Sequence, residues 1–581
     1  MDPLSKSALS SPISWRSLLT KTPRKTLLRG LLFFATLFLC AFGQPARSSF
    51  LSFCASSFGY GLFWYSLEGF SVRKRVFIAG IWFTALSMAQ LSWMISLTYQ
   101  GAYIIVLHGL LSAGLGAQFA CLEGCSFFRK QPEKWGLLAA ASLWTLLEWA
   151  RVFLLCGFTW NPWGLAMAYS HYPLYLASFF GIYGLSFWVF LTNGFAFFFL
   201  KNRSVSSLVF WAALVFFPPF FGYLHEKVCE KELLASKSIS VALVQTSLFP
   251  EEKSPSLDKD AFVYPLEQWM NVLDFLQQGP SSLDLIVFPE VAFPFGPDRL
   301  LYRLESIQDL WRFYFGGDSL RYLPKRIPSY AERGEKDVCY VSNSYVAQAL
   351  ANQYGAEVIV GFDHKRLGKS FNGAFYFSPH ARSSQHYNKR VLVPGSEYLP
   401  FSWCRDIARR YGALGAYEHG QQPGIFSGKT PIGVSICYEE TQTHFSRQTR
   451  QMGAEIFVNL SNDAWFPDTL LARQHFDHGR IRGVENGVAV LRATNTGLTA
   501  VINPFGAIEK TLPVSRKSTP FRGALFMTLP TYSYQTLYTQ FGNTLIVSFS
   551  FVCLGSFFLF LVTNWIKTDR VKALAQKIVV R

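Results

Sequence analysis

Pro431-Ile432-Gly433-Val434-Ser435-Ile436-Cys437-Tyr438-Glu439-Glu440 sends an apolar, partly β-branched run into a single cysteine, and acidic residues follow at once. Such a run reads as a buried strand with a thiol at its C-terminal tip, the edge at which α/β sheets place their chemistry. Leu283-Asp284-Leu285-Ile286-Val287-Phe288-Pro289-Glu290 has the same shape and ends on a carboxylate, and Lys389 stands just before Val391-Leu392-Val393-Pro394. Taken alone, Cys437 reads as a buried strand cysteine, Glu290 as a carboxylate at a helix N-terminus and Lys389 as a solvated charge. Together they point to acyl transfer through a thioester. A nucleophilic thiol needs a base, and the oxyanion it creates needs a cation or amides.

Outward from that domain the chain is too apolar for an ordinary soluble protein: half of its 581 residues are hydrophobic, with 56 Phe and 16 Trp. Long apolar runs fill the chain before about residue 224 and return at 543–565, whereas 226–539 has the composition of a globular domain. The runs predict spans at 27–42, 50–67, 76–97, 102–122, 135–156, 174–200 and 207–224, with an eighth near the C-terminus. The first is short, so a cleaved signal peptide is its rival reading. No small-residue cleavage site follows Ala41-Phe42, and the next run begins at once.

Basic residues alternate between the connections. The N-terminus holds Lys6, Arg16, Lys21, Arg24, Lys25 and Arg29; Arg73-Lys74-Arg75, then Arg129, Lys130 and Lys134, then Lys201 and Arg203 occupy every second connection; Lys567 to Arg581 closes the chain. The intervening connections are nearly free of Lys and Arg apart from Arg47. The positive-inside rule then puts both termini in the cytoplasm and the large domain outside it. The net charge of +17 reflects topology and attraction to anionic lipid, which excludes nucleic acid as the natural partner. The expected organisation is a cytoplasmic N-terminus (1–26), a seven-helix membrane region (27–225), an external catalytic domain (226–540), an eighth membrane helix (541–566) and a cytoplasmic tail (567–581).

Within the external domain, strands are expected at 238–247, 283–288, 357–362, 371–378, 432–436, 455–460, 488–493 and 498–502, with helices at 264–278, 442–452 and 471–486. This is a layered α/β domain with mixed sheets. Residues 297–356 show no clean period and read as a long surface excursion, a lid or a membrane-dipping loop. Of the ten cysteines, Cys229, Cys339, Cys404 and Cys437 fall in this domain without CxxC spacing, so no zinc site or redox pair is indicated. A disulfide among Cys229, Cys339 and Cys404 stays open. His475-Phe476-Asp477-His478 has no third strong ligand nearby and reads as structural rather than metal-binding.

Phe288-Pro289-Glu290, Asn388-Lys389-Arg390-Val391-Leu392-Val393-Pro394 and Cys437-Tyr438-Glu439 resemble the carbon–nitrogen hydrolase (nitrilase) superfamily. The spans, Trp93, Gly157-Phe158-Thr159-Trp160-Asn161-Pro162-Trp163-Gly164, Val244-Gln245, Ser461-Asn462-Asp463-Ala464-Trp465-Phe466 and Arg492-Ala493-Thr494-Asn495-Thr496-Gly497 narrow the resemblance to the bacterial apolipoprotein N-acyltransferase family. The resemblance implies an α-β-β-α sandwich on a multi-pass helical bundle, in the inner membrane with the catalytic domain periplasmic. It implies Glu290 as general base, Lys389 with the Tyr438 N–H as oxyanion stabiliser, and Cys437 as nucleophile. The acyl donor would be a membrane phospholipid, and the acceptor the α-amino group of diacylglyceryl-cysteine in an apolipoprotein. Neither metal nor cofactor is needed. Glu439 would steady Lys389, Glu397 would order the site, Tyr438 and Trp465 would line an acyl pocket, and Asn462 would bind substrate. A membrane-anchored amidase using water as acceptor is the alternative. Two departures from the family stand out: Val393-Pro394-Gly395-Ser396-Glu397 lacks the usual aromatic before its glycine, and the interval from Glu290 to Lys389 is long.

Overall fold

The structure is a computed structural model and describes residues 15–44, 48–129, 133–154, 157–325, 330–333, 338–398 and 417–579. The N-terminal half is helical: α1 (Trp15–Gly43), α2 (49–66, with a π-helical turn at Ala55–Gly59), α3 (Val72–Gln90), α4 (Tyr103–Cys125), α5 (Glu133–Ala150), α6 (Ala177–Asn202) and α7 (Val205–Ala235). Among the described residues, four helical stretches are long and apolar enough to cross a membrane: Tyr103–Cys125, Tyr172–Asn202, Val205–Ala235 and Thr544–Lys567. The bundle packs around aromatic side chains. Tyr60, Trp64, Trp82, Trp144 and Trp163 are buried together, and the Tyr60 ring stacks on Trp163 at 3.6 Å. Helix α7 continues past the expected end of its apolar run, through a polar stretch to Ala235, and delivers the chain directly into the first strand.

The strands are β1 (Ser238–Gln245), β2 (Leu285–Val287), β3 (Leu300–Arg303), β4 (Ala331–Arg333), β5 (Cys339–Ser342), β6 (Glu357–Arg366), β7 (Lys369–Phe377), β8 (Gln385–Asn388), β9 (Ile425–Phe426), β10 (Ile432–Ile436), β11 (Ile456–Ser461), β12 (Ala489–Thr494), β13 (Ala500–Ile502), β14 (Ile508–Thr511) and β15 (Gly523–Pro530). Two six-stranded sheets form, in the orders β15-β1-β2-β6-β7-β8 and β14-β13-β12-β11-β10-β9. Each has a parallel centre, β1-β2-β6 in one and β10-β11-β12 in the other, with antiparallel flanks. Side chains alternate along β1 as the strand period requires. Val241 and Leu243 enter the core between the sheets with Val434, Ile436, Val458 and Leu491, while Ala242 and Val244 face the outer helical layer.

That outer layer consists of α8 (Pro265–Gln277), α9 (Leu304–Phe315) and α10 (Asn343–Tyr354). The second sheet is covered by α11 (Thr443–Gln451) and α12 (Leu471–Asn486), giving an α-β-β-α sandwich. Helix α13 (Thr544–Val579) returns to the bundle and packs on α5.

One expectation is overturned. The described residues of 297–356 are not a surface excursion. Trp311, Val341, Val346 and Leu350 are buried in the same core as the outer faces of β1, β2 and β6, and β3, β4 and β5 make a small sheet of their own. Leu304, Ile307, Leu310 and Trp311 recur at helical spacing in α9, a stripe present in the sequence but overlooked, whereas α10 is built largely from small and polar residues and shows none. Cys229 and Cys339 are free thiols; Cys404 lies outside the described residues.

Candidate active site

The turn after β2 carries Glu290 and the turn after β8 carries Lys389, and the two side chains meet in a buried cluster. Lys389 Nζ donates to Glu290 Oε1 at 3.1 Å and to Glu397 Oε1 at 2.8 Å. Asn372, inside β7, joins them through its side-chain amide, which donates to Glu290 Oε1 at 2.7 Å and to Glu397 Oε1 at 3.3 Å. Its carbonyl accepts the Lys389 backbone N–H at 2.8 Å. Asn372 was missed in the sequence; the only signal was an amide in the middle of an alternating strand.

Cys437 follows β10 and opens a tight helical turn, Cys437–Thr441. Its φ is +50°, a left-handed conformation that a non-glycine residue adopts at a cost of order 1–3 kcal/mol. Such a turn lifts the side chain out of the strand plane, and Cys437 is half-buried where the flanking core residues are closed off. Glu439 stabilises the turn. Its Oε2 accepts the Ile436 N–H at 2.8 Å, and its Oε1 accepts the Arg390 and Val391 N–H groups at 2.6 and 3.0 Å and the Tyr387 hydroxyl at 2.7 Å.

The two supporting carboxylates differ in how they reach the lysine. Glu397 contacts the Lys389 ammonium, and its Oε2 accepts the Val393 N–H at 2.8 Å, closing the Val393-Pro394-Gly395-Ser396 loop. Glu439 reaches the lysine segment through its backbone, because its oxygens are committed to N–H groups and the Tyr387 hydroxyl.

The electrostatics leave a mobile proton. Burial raises Glu290, Lys389 opposes that shift and Glu397 reinforces it. Burial alone would pull the Lys389 ammonium down, but Glu290 and Glu397, helped by Cys437, hold it well above its usual range. Burial and then Glu290 push the Cys437 thiol up, against the pull of Lys389. At rest the site holds a neutral thiol, an ionised lysine and a carboxylate of raised basicity, the arrangement general-base activation requires.

A second buried cluster, unread in the sequence, stands on the other side of Cys437. His475 Nδ1 lies 3.0 Å from Asp463 Oδ1, and His475 Nε2 lies 2.9 Å from Glu440 Oε1 but off the hydrogen-bonding line. Arg492, on β12, brings both Nε and Nη2 to 3.0 Å from Glu440 Oε1. Burial opposes the charge on His475, yet Glu440 and Asp463 raise it to about 9, so it is an imidazolium at neutral pH. Cys437, Asp463 and His475 offer donor atoms within 4.8 Å of one another. Both His475 nitrogens already face carboxylates and Arg492 stands 4.0 Å from Asp463, which favours the ion-pair net over a bound cation. Elsewhere on the same helix Asp477 pairs with Arg480 at 3.0 Å, and burial keeps His478 neutral.

Helix α12 carries this cluster between the sandwich and the bundle, and every residue from Leu471 to Asn486 except Ala472 and Arg473 is buried. Phe476 faces the second sheet, whereas Leu471, Ile481 and Val484 join the bundle core. The Tyr438 ring stacks on Trp160 at 6.1 Å, and its hydroxyl donates to the Gly157 carbonyl at 3.0 Å. Trp93 packs against Trp160 and Phe466, each at 5.0 Å, so the bundle loops and the Ser461–Phe466 segment form one aromatic wall. Trp465 is 43 % exposed and edges onto Tyr99 at 5.6 Å. Asn462 uses its side-chain carbonyl within its own loop, accepting from Ala464 N at 3.1 Å and from the Asn495 amide at 2.8 Å.

The carbon-nitrogen hydrolase family model matches residues 240–519, and that of the apolipoprotein N-acyltransferase N-terminal domain matches residues 35–195. An apolipoprotein N-acyltransferase of Chlamydia caviae is 30 % identical, covering 91 % of this chain and 98 % of its own length. One from Chlamydia trachomatis is 32 % identical, covering 87 % of this chain and 92 % of its own. Among solved structures, Nit3 of Saccharomyces cerevisiae, a nitrilase-superfamily member, is 17 % identical with a TM-score of 0.32 and covers 51 % of this chain and 90 % of its own. The chain belongs to the apolipoprotein N-acyltransferase family, acyltransferases that join a helical membrane region to a carbon–nitrogen hydrolase domain.

Proposed function

We propose that this enzyme moves an acyl chain from a membrane phospholipid to the α-amino group of the diacylglyceryl-cysteine at an apolipoprotein N-terminus, by a ping-pong route through Cys437. The observation that carries the reading is the Glu290–Lys389 pair buried beside a half-buried thiol on a strained turn, with the membrane bundle's Trp160 as the facing wall. In the first half-reaction Glu290 takes the Cys437 proton, sulfur attacks the sn-1 ester carbonyl, and the ester C–O bond breaks. Glu290 returns the proton to the departing lysophospholipid alkoxide. In the second half-reaction the amine attacks the thioester, Glu290 takes its proton, the C–S bond breaks and the thiol is restored. Lys389 and the Tyr438 N–H balance the oxyanion in both. Tyr438 and Trp465 border the acyl path; Glu397, Glu439 and Asn462 hold its loops.

The reading places residues 27–225 in the inner membrane, 226–540 in the periplasm and 541–566 back across the membrane, with 1–26 and 567–581 cytoplasmic. Charge placement supports it. Arg75, Arg129 and Lys201, from three connections, line one cavity of about 380 Å³ with Glu68. The domain, by contrast, is held by the Lys- and Arg-poor connections: Tyr99 bonds to Glu251, Trp160 to Gln474 and Gly157 to Tyr438.

Intact-mass analysis of the full chain in detergent with phospholipid tests the reading. Wild type gains one acyl mass, Cys437→Ala gains none, and a diacylated lipopeptide then discharges the adduct as a triacylated product. No adduct on wild type, or an adduct on Cys437→Ala, overturns the mechanism. Discharge only to free fatty acid favours a hydrolase using water.

A further inference from the structure

The turn that carries Glu290 is strained and pinned. Val291, the next residue, has φ +44°, and a β-branched side chain in that region is a genuine outlier. The turn lies so close to β6 that a Cβ on Gly361 would sit 2.4 Å from the Pro289 carbonyl oxygen and 2.8 Å from Glu290 Cα. Backbone bonds hold it on either side: Phe288 N–H to Ile359 O and Ala292 N–H to Gly361 O, both at 2.8 Å. The remaining contact comes from elsewhere in the chain. Lys253, at the end of the single helical turn Pro250–Lys253, donates from Nζ to the Val291 carbonyl at 2.7 Å.

We propose that Lys253 is a positioning residue for the general base: it clamps the strained turn through the Val291 carbonyl and sets a second positive charge near Glu290, in addition to Lys389. This rests on the reading of Glu290 as the base. The groups facing Lys253 fit the assignment. Burial lowers the ammonium to about 8, while Glu290, Asp363 on β6 and Glu252 on its own turn raise it against that trend. Asp363 is itself pushed up to about 6, first by burial, with Glu290 and Glu397 reinforcing, and Lys253 and the Tyr417 hydroxyl opposing. Tyr417 donates to Asp363 Oδ1 at 2.6 Å. The charge field around Glu290 thus holds two lysines and two further carboxylates, and Lys253 is the member that also touches the turn's backbone.

A cation near Glu290 favours its ionised, proton-accepting form. Removing it raises the Glu290 pKa, so the acid limb of the rate moves to higher pH. The test is the rate of the Cys437 adduct in the full-length enzyme with phospholipid, from pH 5 to 9, for wild type, Lys253→Met, Lys253→Gln, Lys253→Arg and Lys253→Met with Val291→Gly. We expect Lys253→Met to move the acid limb up by about one pH unit and to lose about 10-fold at pH 6 but far less above pH 8, where wild-type Lys253 also loses its charge. Lys253→Gln, a neutral donor, moves the limb in the same way and serves if Lys253→Met does not fold. Lys253→Arg keeps the limb in place. Adding Val291→Gly, which adopts the turn without strain, recovers the high-pH rate and leaves the limb displaced. An unmoved limb in both neutral variants overturns the proposal, as does an equal loss at all pH values that Lys253→Arg shares. Glu290→Gln separates the two readings: if it forms the adduct at the wild-type rate, the base assignment fails first. If it is inactive while both neutral variants behave as wild type, only the role of Lys253 fails.

Discussion

Two buried charge clusters flank Cys437, and they differ in balance. On one side Glu290 and Glu397 share the single ammonium of Lys389. On the other, Glu440 and Asp463 face two cations, His475 and Arg492. Residue types, burial and nearness to the thiol are alike, but the first cluster carries a surplus negative charge and the second none. Like charges around one cation raise the basicity of a carboxylate, which suits Glu290 to accept a proton. In the matched cluster His475 and Asp463 are both held in their charged forms: burial would raise Asp463, but His475 and Arg492 keep it below its usual range. On the proposed mechanism, charge count separates the base from the groups that support it.

The largest test of this contrast is Glu290→Gln. Removing the surplus carboxylate leaves Lys389 paired with Glu397 and Asn372 in place, so the fold keeps its thermal midpoint or gains a little. Acyl-enzyme formation falls by about 10³-fold, within the range for a lost general base. A variant that unfolds, or one that acylates normally, would erase the distinction between the clusters.

The next is Arg492→Met. It leaves Glu440 and Asp463 buried with one cation between them, and breaking a buried ion network this way costs about 3 kcal/mol. The thermal midpoint of the purified protein drops by roughly 10 °C, while the fraction still folded forms the Cys437 adduct within a few-fold of wild type. If activity is lost at temperatures where the variant remains folded, the matched cluster belongs to the chemistry.

The contrast also marks what the sequence could convey. Glu290 and Cys437 were legible because each ends an apolar run, and a strand's tip is a readable place; Lys389 was legible from its place just before Val391-Leu392-Val393-Pro394. The extent of α12 was legible too, Leu471 to Asn486, from its flanks. Its surroundings were not. A helix with Arg480, Arg482, Asp477 and Glu485 reads as solvated, yet it is wedged between a sheet and a membrane bundle, and no local period encodes a neighbour that arrives from some three hundred residues away. The Glu485 carboxylate accepts the Ile182 N–H at 2.9 Å beside the φ +65° break at Gly181, a contact between two halves of the chain. Asn372 and Arg492, inside strands, and Glu440, on the turn after β10, were hidden for the same reason: buried polar residues declare their partners only when the sheets are stacked. In the buried layer at 297–356, α10 was hidden because small and polar side chains pack well without making a stripe, whereas the Leu304, Ile307, Leu310 and Trp311 stripe of α9 was there to be read.

The smallest effect is the most specific to the second cluster. His475 is raised to about 9 in the folded protein, above its ordinary value, so its contribution to stability is complete below about pH 6.5 and is lost as pH rises through about 9. A stabilisation of order 2 kcal/mol in a domain this size is worth roughly 5 °C. The gap in thermal midpoint between wild type and His475→Gln should therefore shrink by about that much between pH 6.5 and 9.5. Lys253, lowered to about 8 and so below its ordinary value, gives both proteins a slope of the opposite sign, and the difference between them isolates His475. Lys389 adds no slope, because it is held above its usual range and stays charged throughout. A gap that stays constant from pH 6.5 to 9.5 would mean that the imidazolium is not what balances Glu440 and Asp463.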